Sequence, residues 1–280
     1  MNSLSILKAI VLGAIQGATE FLPVSSSGHL VIVQNLLGVE LEGGNLLAFD
    51  VCLHFGTLLA VLVFFRREVG QIISSYFRTV SDERPSGGFS VREARRVGLY
   101  IIIGTIPAAI AGPLLNDFFE GLVSNAISAA FMLLVTGAIL WGTRWVDDGV
   151  RGVMQTGWVR ALLIGCAQAL AIIPGISRSG STIAGALYLG INRDLAARFA
   201  FLLAVPAIAG ATVFKLGDLA NFPKEIMVAT VAGTLVAFAV GLACIKWLLG
   251  VIRRGQISWF APYCWLVGLA TIIYILVRNG

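Results

Sequence analysis

The sequence has few charged side chains for its length. Of its 280 residues 12% are charged and 58% are hydrophobic, whereas soluble domains carry roughly 25% charged residues. A soluble chain of this size cannot bury so much apolar surface, so the surrounding solvent must be lipid. The scarcity of charge therefore predicts an integral membrane protein that forms one membrane domain over residues 1–280.

The chain also lacks paired cysteine motifs and a basic stripe. Its four cysteines stand singly in apolar runs, which indicates small buried side chains rather than a metal or disulfide framework. The net charge of +5 comes from basic residues in connections between apolar runs, not from a basic face with interleaved aromatics, which excludes nucleic acid as a partner. A weak signal-peptide pattern after Lys8 continues into polar residues, so we expect this segment to remain in the mature protein.

Six apolar runs approach the length of a membrane crossing, which needs about 20 residues. They are Phe49–Phe65, Val97–Leu115, Ser124–Thr143, Phe199–Phe214, Ile226–Leu249 and Ser258–Val277. The connection from Phe65 to Val97 holds seven arginines against four acidic residues, whereas the connection from Leu115 to Ser124 holds no cation. The positive-inside rule then places the arginine-rich connection in the cytoplasm and both termini outside it.

Two further regions are interrupted in the middle. Leu4–Gly38 is broken at Pro23 and the serines that follow, and Trp158–Gly190 is broken at Pro174 and a second serine and glycine cluster. Neither region fits two full crossings once the charges of the connections are respected. We therefore predict two re-entrant helical hairpins, whose irregular backbone must be covered by protein or line a water-filled cavity.

The two interrupted regions resemble each other. Gly13–Gln16 matches Gly165–Gln168, and downstream His54–Val61 matches Arg198–Val205. The copies extend over about residues 1–115 and 158–249. Three crossings separate the two hairpins, so the second copy should be inserted upside down, with a site near the midplane. The predicted fold is an all-α polytopic membrane protein with about six transmembrane helices, two re-entrant hairpins and an inverted-topology repeat.

The first break carries ionisable groups. Gln16 and Glu20 are four residues apart and share a helix face. Pro23 ends that helix, and the serines at 25–27 can cap the next one, where free N–H groups favour an anion. His29 then lies one turn into the second helix. Ionisable groups inside apolar sequence indicate function. The alternative is that the serines only cap a helix and that His29 is an interior residue whose hydrogen bonds are satisfied.

The second break carries an arginine. Arg178 stands between Ser177 and Ser179, with Thr182 one turn later. Its planar guanidinium suits phosphate oxygens; the alternative is an arginine that extends to the membrane surface. Together the two breaks predict an anion site within the membrane, most naturally for phosphate, and the ligand is left open between a phosphorylated amphiphile and an anionic solute. His54 lies in a crossing, where it either packs or lines the cavity, and we favour packing; for Arg193 and Arg198 we favour an interfacial role.

The motifs Gln16-x-x-x-Glu20-Phe-Leu-Pro-Val-Ser-Ser-Ser-Gly-His29 and Pro174-Gly-x-Ser-Arg-Ser-Gly-x-Thr182 resemble the bacitracin-resistance family of undecaprenyl-diphosphate phosphatases. The resemblance covers essentially the whole chain. It implies hydrolysis of undecaprenyl diphosphate to undecaprenyl phosphate and phosphate, with a divalent cation, Mg²⁺ or Ca²⁺. It also implies a bacterial cytoplasmic (inner) membrane enzyme whose site opens to the outer face, serving cell-wall synthesis and bacitracin resistance.

The resemblance also assigns candidate roles. The metal ligands are Glu20 and Gln16; because the family motif begins with Glu or Gln, only Glu20 is a certain carboxylate here. The catalytic residues are Glu20, Ser26, His29 and Arg178, and the substrate-binding residues are Ser25, Ser27, Ser177, Ser179 and Thr182. We expect Ser26 to attack phosphorus with His29 as general base; direct attack by water is the alternative. A lipid transporter or flippase is the competing function, and a homodimer stays open.

Overall fold

The computed structural model describes residues 4–39, 41, 45–80, 88–123, 126–214 and 223–279, and within them the chain is helical without a β-strand. The helices are α1 Ile6–Phe21, α2 Ser26–Leu36, α3 Asn45–Phe64, α4 Arg66–Ser75, α5 Val91–Val123, α6 Ala126–Gly142, α7 Val153–Leu170, α8 Arg178–Tyr188, α9 Arg193–Phe214, α10 Lys224–Arg253 and α11 Phe260–Asn279.

Six segments in the described part of the chain are long and apolar enough to cross a membrane. They are Asn45–Phe64, Val91–Leu114, Ile127–Trp145, Arg193–Val213, Lys224–Arg253 and Ile257–Val277. Each overlaps one predicted crossing, so the all-α polytopic membrane fold is confirmed.

The second crossing differs from its prediction at both ends. α5 begins near Ser90 because a capping box closes there: Ser90 Oγ accepts from the Glu93 N–H at 3.2 Å, and Glu93 Oε2 accepts from the Ser90 N–H at 3.1 Å. At the other end, the residues predicted as a connection after Leu115 are helical as far as Val123. The helix therefore continues beyond the apolar run that marked it in the sequence.

Both predicted breaks are present. α1 ends at Phe21 and α2 begins at Ser26, while α7 ends at Leu170 and α8 begins at Arg178. We call the helices before and after each break its arms. The arms α1, α2, α7 and α8 contain 16, 11, 18 and 11 residues, or about 24, 17, 27 and 17 Å at 1.5 Å per residue. Each is shorter than the ~30 Å hydrocarbon core. The re-entrant path and the inverted orientation of the repeats stay predictions.

Matching glycines hold the longer arm of each break against a long helix. α1 packs on α10, and α7 packs on α5. A methyl group added at Gly13 would collide with the carbonyl of Gly233, and one added at Gly165 would collide with the carbonyl of Gly104. Backbones approach this closely only where side chains are absent, as in small-residue helix contacts within membranes. Two glycines that match in the sequence thus make equivalent contacts in the structure.

A buried aromatic cluster lies directly beside the first break. Phe21 at the end of α1 contacts Phe201 of α9 edge to face, with ring centroids 5.9 Å apart. Phe65, which follows α3, lies 5.7 Å from the same Phe201 ring. All three side chains are fully buried. They fix the end of α1, and therefore the neighbouring Glu20, against two crossing helices.

Candidate active site

The two breaks contact each other inside the helix bundle. Ser179 at the start of α8 donates its hydroxyl hydrogen to the carbonyl of Leu22 in the first break, at 3.0 Å. Where a Cβ atom would stand on Gly28, the nearest atoms include Gly175 Cα at 3.6 Å. The sequence places these segments about 150 residues apart, and the fold brings them together.

The second helix after each break begins with a serine cap. Ser25 Oγ accepts from the Gly28 N–H at 3.4 Å, and Ser177 Oγ accepts from the Gly180 N–H at 3.1 Å. Both serines were predicted as substrate-binding groups. Here each satisfies one of the N–H groups that helix starts leave without a partner. The capping role anticipated for Ser25 is confirmed, Ser177 has the same role at the second helix start, and a contact of either serine with substrate stays a prediction.

Glu20 stands at the centre of the polar cluster. Its Oε1 accepts from Arg178 Nη2 at 2.6 Å, and its Oε2 accepts from Ser26 Oγ at 2.7 Å and from Gln16 Nε2 at 2.9 Å. The residue is only 6% exposed. A buried carboxylate requires opposite charge and hydrogen-bond donors, and this one receives them from both breaks. Gln16, Glu20, Ser26 and Arg178, all predicted from sequence, thus form one site.

Arg178 is arranged to receive an anion. One guanidinium nitrogen binds Glu20, and within the described part of the chain its other N–H groups have no side-chain or backbone acceptor. The side chain is 16% exposed, so it is partly accessible rather than sealed. A guanidinium carries five N–H donors in a planar fork that matches phosphate oxygens. Arg178 can therefore hold Glu20 on one side and a phosphoryl group on the other.

His54 also faces the cluster, although packing was preferred to a place in the cavity on sequence grounds. We favoured a packing role for it, but the structure places His54 Nε2 3.7 Å from Glu20 Oε2. Its Nδ1 donates to the carbonyl of Asp50 at 2.8 Å, which turns Nε2 towards the cluster. The side chain is one-third exposed. The available signal was the repeat itself, because His54 matches the charged Arg198 of the second copy.

His29 has a different environment from the one predicted. Its Nδ1 lies 2.8 Å from the carbonyl oxygen of Ser25, and its Nε2 lies 2.9 Å from the hydroxyl of Tyr263 on α11. The hydroxyl of Ser26 faces Glu20 instead. The described hydrogen bonds therefore do not join His29 to Ser26, and its role as general base stays a prediction. Tyr263 gave no signal in the sequence, since it lies more than 230 residues away in an apolar run.

The remaining predicted hydroxyls stabilise the two breaks. Ser177 Oγ and Ser179 Oγ lie 3.2 Å apart, and Ser25 Oγ and Ser27 Oγ lie 3.3 Å apart. Thr182 Oγ1 donates to the carbonyl of Arg178 at 2.8 Å. These contacts fix the start of each second helix and so the position of Arg178. Binding of phosphoryl oxygens by these five hydroxyls stays a prediction.

Gln16 and Glu20 supply oxygen atoms that suit a hard cation. Because Gln16 donates its amide nitrogen to Glu20, its buried Oε1 is left without a hydrogen-bond partner in the structure. Mg²⁺ takes one or two carboxylates and completes its shell with water and substrate phosphates. In the part of the chain that the structure describes, no three acidic, histidine or cysteine side chains group around a metal position. The residues therefore fit a cation that takes its other ligands from substrate and water.

Comparison with known proteins finds one family over nearly the whole chain. The sequence profile described as "Bacitracin resistance protein BacA" matches residues 9–270. A protein of Desulfatibacillum aliphaticivorans named undecaprenyl-diphosphatase is 43% identical over 273 residues, which cover 95% of this chain and 98% of that protein. Proteins with the same name from Desulfosudis oleivorans and Methanobrevibacter smithii are 45% and 41% identical, each over 95% of this chain and over 97% and 96% of their own lengths.

Proposed function

Since the chain belongs to the bacitracin resistance protein BacA family, we propose that it is an integral membrane phosphatase that hydrolyses undecaprenyl diphosphate to undecaprenyl phosphate and phosphate. The relatives carry the name undecaprenyl-diphosphatase, and the six apolar helices suit an enzyme with a polyprenyl lipid substrate. In this proposal the enzyme recycles the lipid carrier of cell-wall synthesis and gives bacitracin resistance.

The observation that carries the proposal is the contact of Ser26 and Arg178 with the two oxygens of one buried carboxylate, Glu20. A hydroxyl that can attack and a guanidinium that can bind phosphate are held side by side. Phosphoryl transfer depends on such positioning and on stabilisation of the charge on the transferred oxygens. A binding site for a lipid phosphate needs the arginine but not the oriented hydroxyl.

In the proposed reaction Ser26 Oγ forms a bond to the terminal phosphorus while the bridging P–O bond breaks. Undecaprenyl phosphate leaves with the bonding electrons, and water then hydrolyses the phosphoserine. Glu20 orients the Ser26 hydroxyl, and Arg178 stabilises charge on the phosphoryl oxygens. In this proposal His29 is the base that receives the Ser26 proton and later returns a proton, and for this its Nε2 must exchange the Tyr263 hydroxyl for the Ser26 hydroxyl. The alternative is direct attack by water, with Ser26 as a ligand only.

A divalent cation completes the proposed site. Gln16 Oε1 and Glu20 would hold it, and when bound it would neutralise charge on the phosphoryl oxygens. In this proposal the enzyme lies in the bacterial cytoplasmic membrane with the site open to its outer face, as the resemblance to the family implies.

The test is phosphate release from a polyprenyl diphosphate by the purified protein in detergent, with and without chelator. Glu20→Gln and Arg178→Lys should each lower kcat/KM by about 10²-fold or more, since each removes a group preorganised for the transferred phosphoryl. Glu225→Gln and Arg254→Lys, which alter exposed residues of α10 and its end, serve as matched controls. Folded wild-type protein that binds the lipid but releases no phosphate would overturn the enzyme and favour a lipid carrier.

A further inference from the structure

Helix α6 lies between the two similar regions of the sequence and carries no residue of either motif, yet it contacts both breaks. Leu133 on α6 is fully buried, and its Cδ1 lies 3.8 Å from the position that a Cβ atom would take on Gly28, at the first break. Thr136, three residues later and also buried, forms hydrogen bonds with the second break. One face of a single helix therefore meets both segments that form the candidate site.

The hydroxyl of Thr136 makes two hydrogen bonds to the turn that precedes α8. It donates to the carbonyl of Gly175 at 2.9 Å and accepts from the N–H of Ser177 at 3.0 Å. A hydroxyl has one hydrogen and two lone pairs, so both bonds form at the same time. Gly175 and Ser177 are buried, and without Thr136 their two backbone groups would lose these partners away from water.

The turn of the second break is longer than that of the first and lies directly on α6. In the first break the capping serine follows its proline by two positions, whereas Ser177 follows Pro174 by three. Gly175 has a φ of +92°, and a methyl group added there would collide with the carbonyl of Ala129 on α6. Glycine adopts this conformation and this close approach readily, so the turn rests on the α6 backbone and is held there by the Thr136 hydroxyl.

We infer that Thr136 is a positioning residue that holds this turn and thereby keeps the Arg178 guanidinium on Glu20, with its other N–H groups free for a phosphoryl group. Arg178 follows Ser177 directly and begins α8, and its Nη2 reaches Glu20 Oε1 at 2.6 Å from one break to the other. Phosphoryl transfer depends on positioning, and a displacement of about 1 Å can lower its rate by about 10²-fold. The inference rests on the phosphate-binding role proposed for Arg178.

The kinetic test compares Thr136→Val, which has nearly the same shape but makes neither hydrogen bond, with Thr136→Ser, which retains the hydroxyl. Thr136→Val should lower kcat/KM by about 10- to 100-fold, and Thr136→Ser should restore most of that loss. Thr143→Val is the matched control, because the buried Thr143 hydroxyl donates to the carbonyl of Leu140, three residues earlier; it should match wild type. An unchanged kcat/KM in Thr136→Val, or a loss as large in Thr136→Ser or in Thr143→Val, would overturn the inference.

A double variant separates positioning of Arg178 from a general loss of structure. If Thr136 acts through Arg178, adding Thr136→Val to Arg178→Lys should lower kcat/KM little further than Arg178→Lys does alone. Losses that multiply in the double variant would refute the inference. Should Thr136→Val not fold, Thr136→Ala takes its place; it leaves room for a water at the turn, so a smaller loss and the same lack of additivity are expected.

Binding of a polyprenyl phosphate to the detergent-solubilised protein separates this inference from the proposed phosphatase. Wild type that binds this lipid but releases no phosphate from the diphosphate would refute the phosphatase and leave the anion site. In that case binding about tenfold weaker in Thr136→Val, and restored in Thr136→Ser, would uphold the positioning of Arg178. Equal binding by wild type and Thr136→Val would refute it.

Discussion

The Arg178–Glu20 ion pair should contribute to stability mainly through what its removal leaves behind. The side chain of Glu20 is 5% exposed and that of Arg178 16% exposed, with 2.6 Å between Nη2 and Oε1. Arg178→Met retains much of the side-chain volume but leaves a buried carboxylate without its counter-charge. Breaking a buried pair in this way costs about 3–5 kcal/mol. Arg178→Met should therefore be destabilised by about that amount.

Glu20→Gln completes a double-mutant cycle with Arg178→Met. Adding it to Arg178→Met removes the uncompensated charge, while the amide can still bind Ser26. The double variant should therefore recover most of the lost stability and be far more stable than the sum of the two single changes implies. Neither Arg178→Met nor the double variant should release phosphate, so stability and activity separate.

The assay is the free energy of unfolding of detergent-solubilised protein for wild type, both single variants and the double variant. Arg253→Met is the matched control, because Arg253 and Asp194 form an ion pair at 2.6 Å whose side chains are 53% and 45% exposed. An exposed pair contributes at most about 1 kcal/mol. Additive effects in the cycle, or equal costs for Arg178→Met and Arg253→Met, would refute the argument that burial makes the Glu20 pair indispensable.

Three further predictions concern the site and its scaffold. If Ser26 is the nucleophile, Ser26→Ala should lower kcat by about 10²-fold or more, and acid quench of the wild-type reaction should trap a phosphoseryl peptide. Near-normal turnover in Ser26→Ala would indicate attack by water. Gly165→Val should destabilise the fold by about 1–3 kcal/mol through overpacking on α5. Gly112→Val should change unfolding little, because no atom of another helix in the described part of the chain lies within 4 Å of its Cβ position; equal effects would contradict the packing argument. Gln16→Glu adds a second carboxylate beside Glu20 and should lower the Mg²⁺ concentration needed for half-maximal activity, and an unchanged requirement would place the cation elsewhere.

Much of the fold could be predicted from the sequence because a lipid environment restricts the structures that a chain can adopt. Long apolar runs with charges confined to connections predict crossing helices, since backbone polar groups must be satisfied within each segment. All six predicted crossings are present, and each break contains its proline: α1 ends two residues before Pro23 and α7 ends four residues before Pro174. Boundaries were less predictable. The start of α5 is set by the hydrogen bonds between Ser90 and Glu93 rather than by hydropathy.

The residues of the candidate site could be predicted from the sequence, but the hydrogen bonds between them could not. Glu20, Ser26 and Arg178 stood out because polar groups inside apolar sequence are costly. Sequence spacing suggested a pairing of Ser26 with His29, since residues three apart share a helix face. The structure shows Ser26 on Glu20 and His29 on Tyr263. The choice among several acceptors within reach depends on ring orientation and on helices that are distant in the chain.

The sequence alone determined that the chain is helical and embedded in lipid, and it located the candidate site at two interrupted segments. These features follow from local composition and from the cost of burying polar groups. The tertiary structure decided which oxygens and nitrogens meet, because Glu20 and Arg178, which are 158 positions apart in the chain, come together in a bundle where α1 packs on α10 and α7 packs on α5. Tyr263 also comes to the site through the fold, because it lies in an apolar helix whose own sequence gives no indication of the side chain that it contacts.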